Sequence, residues 1–488
     1  MSTAPTRAEA RTRYGISEWP DVDRLVKRCD ALATSPMRPL RRDRMEAYLG
    51  WFEERCPGSK AAAAAAAERI PGGVQHNLAF NHPFPLEITR AEGAHLWDVD
   101  GNRYVDFLQA GGPTVLGSNY PPVREKVVEL LQSCGPVTGL FHEYELKLAQ
   151  LIHDFMPAVE QFRMLGSGTE GVMAALRAAR AFTGHEHIVK VGGGYHGWSD
   201  QMVFALRLPG TGALDAAGIP PECYQRTHEV FPHDVDELRR TLQANQSAGG
   251  TAAVIVEPVG PESGVRPVTA DYNQQARELC DEFGALLIFD EVVTGFRLGL
   301  GGAQGYFGVR PDLTVFGKCV AGGYPAAGGV GGRQEVMATF AGGLSSTGVK
   351  VLVGGTLSAN PLSCAAGYHS LLEMERTDAP VKAGRAGDRL RAGLDDLIQR
   401  YELPYVAYNF GSIVHLHTSG ILQLDLRDPA SFAEVGPRKH LLEEMGAAFT
   451  AEGVVTLAGS RLYTSMADTD EVIDEALAAF DRVFAHVE

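Results

Sequence analysis

The chain has 488 residues, is 45% hydrophobic and 21% charged, and carries a formal net charge of 44 − 60 = −16. Its length exceeds what one hydrophobic core ordinarily serves, so two or more domains are expected. The acidic balance argues against a nucleic-acid or anionic-membrane surface, and no uninterrupted apolar run approaches a bilayer span.

Seven cysteines (29, 56, 134, 223, 280, 319, 364) are odd in number and form no CxxC pair. Reduced thiols in a cytoplasmic protein are therefore expected, and a metal site is not. The stretch MSTAPTRAEARTRYG lacks the apolar core of a signal peptide. Residues 1–60 read as a helical extension, with short helices around Val22–Leu32 and Met45–Phe52. Lys60–Ile70, with seven consecutive alanines, is helical on propensity alone, and Pro71-Gly72-Gly73 stops it. His76 and His82 follow in a Pro/Asn-rich loop, and their spacing reads as incidental. Leu86–Arg90, His95–Asp98 and Tyr104–Phe107 are strand-like around an Asp100-Gly101 turn, a small antiparallel sheet.

From there strands and helices alternate, which implies a mostly parallel sheet. Tyr144–Phe155 has helical periodicity, and Phe162–Leu165 is a strand. It runs into Gly166-Ser167-Gly168-Thr169 and a helix over Glu170–Phe182. A Gly/Ser/Thr turn opening a helix aims backbone N–H groups and the positive dipole end at one spot, which suits phosphate; a plain capped helix would read the same way. The strand His187–Val191 precedes Gly194-Tyr195-His196-Gly197, whose glycines let the backbone bend tightly around a flat ring. Ala252–Val256 is a β-branched strand ending on Glu257, Thr269 caps a helix over Asp271–Phe283, and Ala285–Phe289 is the next strand. This is a βαβ unit, so its strands should be parallel and its crossover right-handed.

Two short apolar runs then carry the chemistry. Ala285–Phe289 ends on Asp290, and Leu313–Phe316 is followed by Gly317 and Lys318, 318 − 290 = 28 residues on. Taken singly, Lys318 is a solvated strand end and Asp290 a helix cap. Together, beyond the carboxyl ends of buried parallel strands where ligands bind, they suggest pyridoxal phosphate chemistry: a lysine holding the aldehyde as a Schiff base, and an acid pairing with the pyridinium nitrogen.

From about Ile70 to its end the chain resembles the class III, fold type I, pyridoxal-phosphate-dependent aminotransferases, in the branch containing glutamate-1-semialdehyde aminomutases. The matching motifs are PGGV (71–74), GSGTE (166–170), GYHG (194–197), VEP (256–258), FDEVVTGFR (289–297), GGAQGYFGVRPDLTVFGK (301–318) and GGTLSANP (354–361). The resemblance implies an α/β fold: a large domain over 114–380 with a sheet of the seven-stranded type, and a smaller α+β domain built from 61–113 and 381–488. It implies that Lys318 is the catalytic amine and Asp290 the partner of the ring nitrogen. Ser167, Gly168 and Thr169 would hold the phosphate, Tyr195 would stack on the ring, and Val292 would back its other face. His196 and Glu257 would lie near the cofactor, and Thr356 would reach the phosphate of a neighbouring subunit in a homodimer. The implied reaction moves an amino group from an amino acid or amine to a keto acid, aldehyde or ketone in two half-reactions. The alternatives are an aminomutase or an amino-acid epimerase.

The chain also departs from the aminomutase pattern. After PGGV that branch places an arginine for the substrate carboxylate, whereas here Gln75-His76-Asn77-Leu78-Ala79-Phe80 follows and no arginine appears before Arg90. Candidate substrate residues are His76, Asn77 and Arg461, the last able to pair with a carboxylate or to be a solvated loop arginine. The apolar loop hints at a distal end less acidic than that of the semialdehyde. Arg297 matches a family position without an assignable role, and Ala321 replaces a frequent glycine. Toward the end, Ala383–Arg400, Arg438–Ala451 and Asp470–Val487 read as helices, with strands at Ser412–Thr418 and Val454–Leu457.

Overall fold

The computed structural model describes residues 12–79, 81–135, 137–206, 209–210, 217–343, 347–426, 428, 430–457 and 459–488. These divide into two compact units. One contains residues 12–14, Pro121–Val381 and residues 425–426; the other contains Gly15–Tyr120, Lys382–Leu424 and Asp428–Glu488.

The second unit begins with the helices Val22–Thr34, Arg42–Arg55 and Pro57–Ala67. Strands β1 (Ile88–Glu92), β2 (His95–Asp98) and β3 (Arg103–Asp106) form an antiparallel meander. The expected Asp100-Gly101 turn joins β2 to β3, with Gly101 at φ 84°.

The first unit is built on a seven-stranded sheet. Its strands are β4 (Gln161–Leu165), β5 (His187–Val191), β6 (Thr227–Val230), β7 (Thr251–Val256), β8 (Leu286–Asp290), β9 (Leu313–Gly317) and β10 (Gly328–Gly332). They lie in the order β4-β10-β9-β8-β7-β5-β6, and only β10 runs antiparallel to its neighbours. Burial on both faces explains the continuous apolar runs. Ala253, Ile255, Leu286, Ile288 and Val315 share a core with Val172, Ala175 and Leu176 of the helix Gly168–Thr183. Their alternates Val254, Val256, Leu287 and Phe289 pack instead with Leu238, Leu242, Ala276 and Leu279 of the helices Val235–Gln246 and Tyr272–Phe283. The period of two along each strand thus feeds two separate cores.

The antiparallel strand β10, Gly-Gly-Val-Gly-Gly, has no apolar pattern to announce it. Its glycines are required by what presses on them. A Cβ on Gly329 would meet the Phe162 ring at 2.6 Å, and one on Gly328 would overlap the Ser167 backbone. Other boundaries shift for local reasons. The helix expected from Glu170 begins at Gly168 because Ser167 is its N-cap, its Oγ accepting from Glu170 N at 3.2 Å. Thr269 does not cap the following helix: the N-cap is Asp271, and Thr269 contributes only its carbonyl, to Tyr272 N at 3.1 Å.

The second unit closes with β11 (Val406–Phe410), β12 (Ile413–His417), β13 (Val454–Val455) and β14 (Arg461–Tyr463). Strand β13 joins β3 in parallel, and β11-β12-β14 form a separate antiparallel sheet. The helix expected from Arg438 starts earlier, at Ser431, and carries Pro437 inside it.

A methyl at Gly328 must move Ser167, so Gly328→Ala should lower the unfolding free energy by about 1–3 kcal/mol. Thermal unfolding of the cofactor-free protein measures this.

Candidate active site

Every candidate cofactor residue but one, Thr356, follows the carboxyl end of a strand in the seven-stranded sheet. Ser167 lies two residues past β4, Tyr195 and His196 follow β5, Glu257 follows β7, Asp290 ends β8, and Lys318 follows β9. Because β4, β5, β7, β8 and β9 all run in the same direction, these ends lie along one edge. That edge is where an open α/β sheet binds ligands.

Asp290 is 4% exposed. Its Oδ2 lies 2.8 Å from His196 Nδ1, and its Oδ1 accepts from Val292 N at 3.1 Å. His196 is buried, and burial pushes its pKa down despite the Asp290 charge. The ring is therefore neutral and donates Nδ1–H to the carboxylate, which fixes its tautomer. Its Nε2 is buried with no partner among the described residues.

Val292 then sets a spacing. A Cβ on Gly168 would come 2.8 Å from Val292 Cγ2, and one on Gly317 would come 2.8 Å from Cγ1. The valine is thus wedged between the start of the Gly168 helix and the residue before Lys318. Gly197 (φ +84°) lies against Thr169, where an added Cβ would be 2.5 Å from Oγ1. These approaches form a connected ring: Asp290, His196, Gly197, Thr169, Gly168, Val292. Lys318 is half-buried, has φ 46°, and opens the short 3-10 turn Lys318–Ala321. A lysine held in the left-handed region is a backbone strain of the kind found at functional sites. Tyr195 leaves 47% of its surface exposed, so its ring presents a face rather than filling the core.

Glu257 is held differently. Its Oε1 accepts from Tyr195 N at 2.9 Å and Glu262 N at 2.7 Å, and its Oε2 accepts from Ser263 N and from Ser263 Oγ at 2.9 Å. Glu262 (φ 45°) and Ser263 (φ 54°) are consecutive left-handed residues, which turns their N–H groups inward as an anion nest. Burial, followed by the nearby Asp290 charge, pushes the carboxyl up to about 8, while the donors pull against them. Glu257 therefore anchors the Tyr195 turn, a role and partner set invisible in the sequence.

Thr356 is exposed, next to Gly355, where a Cβ would lie 3.2 Å from Glu170 Oε2 at the helix start. His76 and Asn77 belong to the second unit and are exposed in a turn; His76 Nδ1 accepts from Leu78 N at 3.1 Å. Arg461, also in the second unit, is not a solvated loop residue: it lies in β14, 8% exposed, and donates to Tyr463 Oη at 3.2 Å. Arg297 is fully buried and lies beside the Cys319 thiol.

The residues fit pyridoxal phosphate on physical grounds. The capped start of the Gly168 helix leaves first-turn amides for an anion. Gly168 and Gly197 let Val292 and Thr169 close up around that helix start, and a buried oriented carboxylate can hold a protonated ring nitrogen.

The Aminotransferase class-III family model matches residues 78–484. A relative from Lachnoclostridium phytofermentans, glutamate-1-semialdehyde 2,1-aminomutase 1, is 41% identical over 357 residues, covering 71% of this chain and 81% of the relative. The structure of a β-phenylalanine aminotransferase from Variovorax paradoxus is 32% identical, with TM-score 0.77 over 90% of this chain and 96% of that one. A transaminase with pyridoxal phosphate bound is 26% identical, with TM-score 0.78 over 88% and 97% of the two chains. With this fold and this ring of residues, the chain belongs to the class III aminotransferase family, whose cofactor is pyridoxal phosphate.

Proposed function

We propose that the protein transfers an amino group from an amino acid or amine to a carbonyl acceptor in two alternating half-reactions, with Lys318 and Asp290 as its catalytic residues. The observation that carries this is the buried Asp290 carboxylate, aimed by His196 Nδ1–H and Val292 N, one strand away from Lys318. When bound, pyridoxal phosphate accepts the electron pair released as the substrate Cα–H bond breaks. The chain supplies the rest. Asp290 would hold the proton on the ring nitrogen, Lys318 Nζ would retain the aldehyde end and carry protons at the substrate carbon, and the amides and hydroxyls of Ser167–Thr169 would bind the phosphate. Tyr195 and Val292 would bracket the ring. Thr356 acts across a homodimer contact, and the reduced thiols and acidic charge suit a cytoplasmic enzyme.

The 41% identity to an aminomutase supports a second reading, in which nitrogen returns to the same carbon skeleton. An acceptor-dependence assay separates the two. With one amino substrate and no carbonyl acceptor, the transferase should stop after one equivalent per site, and sustained turnover would establish the mutase. A panel of amines, α-amino acids and β-amino acids, with pyruvate or 2-oxoglutarate as acceptor, then defines the donor. Preference for a dicarboxylate would overturn the expectation of a less acidic distal end.

Two substitutions test the site itself. Lys318→Ala should abolish the borohydride-reducible link between protein and cofactor, read by peptide mass mapping, and Asp290→Asn should lower kcat roughly a hundred- to thousandfold. Both oxygens of Glu257 receive N–H donors, so Glu257→Gln must set an NH2 group against them. It should cost about 1–3 kcal/mol of stability and weaken cofactor binding, read by thermal unfolding and by titration.

A further inference from the structure

Lys190 is the fourth residue of β5, between Val189 and Val191, and is 0% exposed. An ammonium group in such a place is costly unless its protons are bonded. Lys190 Nζ donates to three backbone carbonyls: Phe204 O at 2.7 Å, Met202 O at 3.1 Å and Gly194 O at 3.3 Å. It also sits 4.9 Å from the centroid of the Phe204 ring, a cation–π distance. Three protons meet three acceptors.

The identity of those carbonyls gives the lysine its meaning. Gly194 opens the turn that carries Tyr195, His196 and Gly197, whereas Met202 and Phe204 belong to the returning arm of the same loop. The two arms also touch where Gly193 N donates to Ala205 O at 2.9 Å. Lys190 therefore staples the loop at its base. An apolar residue of equal length would fill the space and remove the ammonium's protons from three carbonyls of buried residues.

We propose that Lys190 is a positioning residue: its ammonium fixes the Tyr195–Gly197 turn, and through it the ring face of Tyr195 and the His196 hydrogen bond that orients Asp290. The proposal rests on the reading of Tyr195 and Asp290 given above. It has an electrostatic side as well. Burial chiefly, with the Lys190 charge adding to it, keeps His196 neutral, so the imidazole donates to Asp290 without cancelling its charge.

The test compares wild type, Lys190→Met and Lys190→Arg, each stripped of cofactor and titrated with pyridoxal phosphate. Affinity and the visible circular dichroism of the bound chromophore are followed, and thermal unfolding of the cofactor-free proteins is measured in parallel. Lys190→Met should weaken binding about tenfold, and alter the dichroic band, which reports the tilt of the ring against the protein. Lys190→Arg, which keeps the charge in a larger planar fork, should restore part of the affinity while leaving the band altered. A Lys190→Met protein that melts earlier but keeps wild-type affinity and dichroism overturns the proposal. If Lys190→Met does not fold, Lys190→Arg decides, and wild-type values in both readouts overturn the proposal. Failure of the wild type to bind pyridoxal phosphate would instead overturn the reading of the site on which the proposal rests.

Discussion

The carboxylate of Asp290 is the constraint on which the large unit's functional edge depends. It ends a strand buried on both faces, so its charge must be stabilised where water is scarce. A cationic partner would neutralise the charge that the site needs. The structure uses a neutral imidazole and a backbone N–H instead, and both orient the acid without cancelling it. His196 can be neutral because it is itself dry. Its position comes from a turn tied to a different acid, Glu257, through Tyr195 N. One carboxylate is thus kept available by a second that is fully occupied.

Glycine sets the distances in this arrangement. Gly168, Gly317 and Val292 form a contact in which one isopropyl group spaces the helix start from the lysine-bearing turn. Gly328 lets β10 come up to the Ser167 backbone, which places the N-cap that opens the helix. A methyl group at any of these positions meets an atom it cannot easily displace, because the interior is packed near crystal density. The high glycine content of the chain is therefore partly a record of close approaches, in addition to turns.

Much of this was legible in the sequence, and the exceptions have physical reasons. The buried strands β7, β8 and β9 are legible because parallel strands covered on both sides read as near-continuous apolar runs. Strand β10 is not, because glycines carry no hydrophobic signal and its role is to be thin. Arg461 reads as a loop residue since a charged side chain two positions from Gly459 looks solvated, yet it lies in a three-residue strand with its guanidinium on Tyr463. Lys190 is illegible for the opposite reason: a lone lysine inside an apolar strand carries no sign of the three carbonyls that surround it. The nest around Glu257 depends on two consecutive left-handed residues, Glu262 and Ser263, and neither residue type demands that conformation. Periodicity reports faces, whereas pairings across a loop leave no period to read.

The adjacent acids Asp290 and Glu291 show how the edge divides its work. Successive residues leaving a strand point to opposite sides, so a sequence that reads simply Asp-Glu places one carboxylate toward His196 and the other away from it. Glu291 is buried and receives Ala303 N at 2.7 Å, and Gln304 N, Gln304 Nε2 and Thr294 Oγ1 each at 3.1 Å. Burial pushes its pKa up, and these donors oppose the shift. Their collective effect is to tie the segment after β8 to the start of the helix Gly302–Phe307. Val292 follows directly, so the rigidity gained at Glu291 is transmitted to the wedge between Gly168 and Gly317. A change at Glu291 would therefore reach the cofactor edge by moving Val292, whereas a change at Asp290 would act on the charge. The two neighbours separate geometry from electrostatics within a single dipeptide.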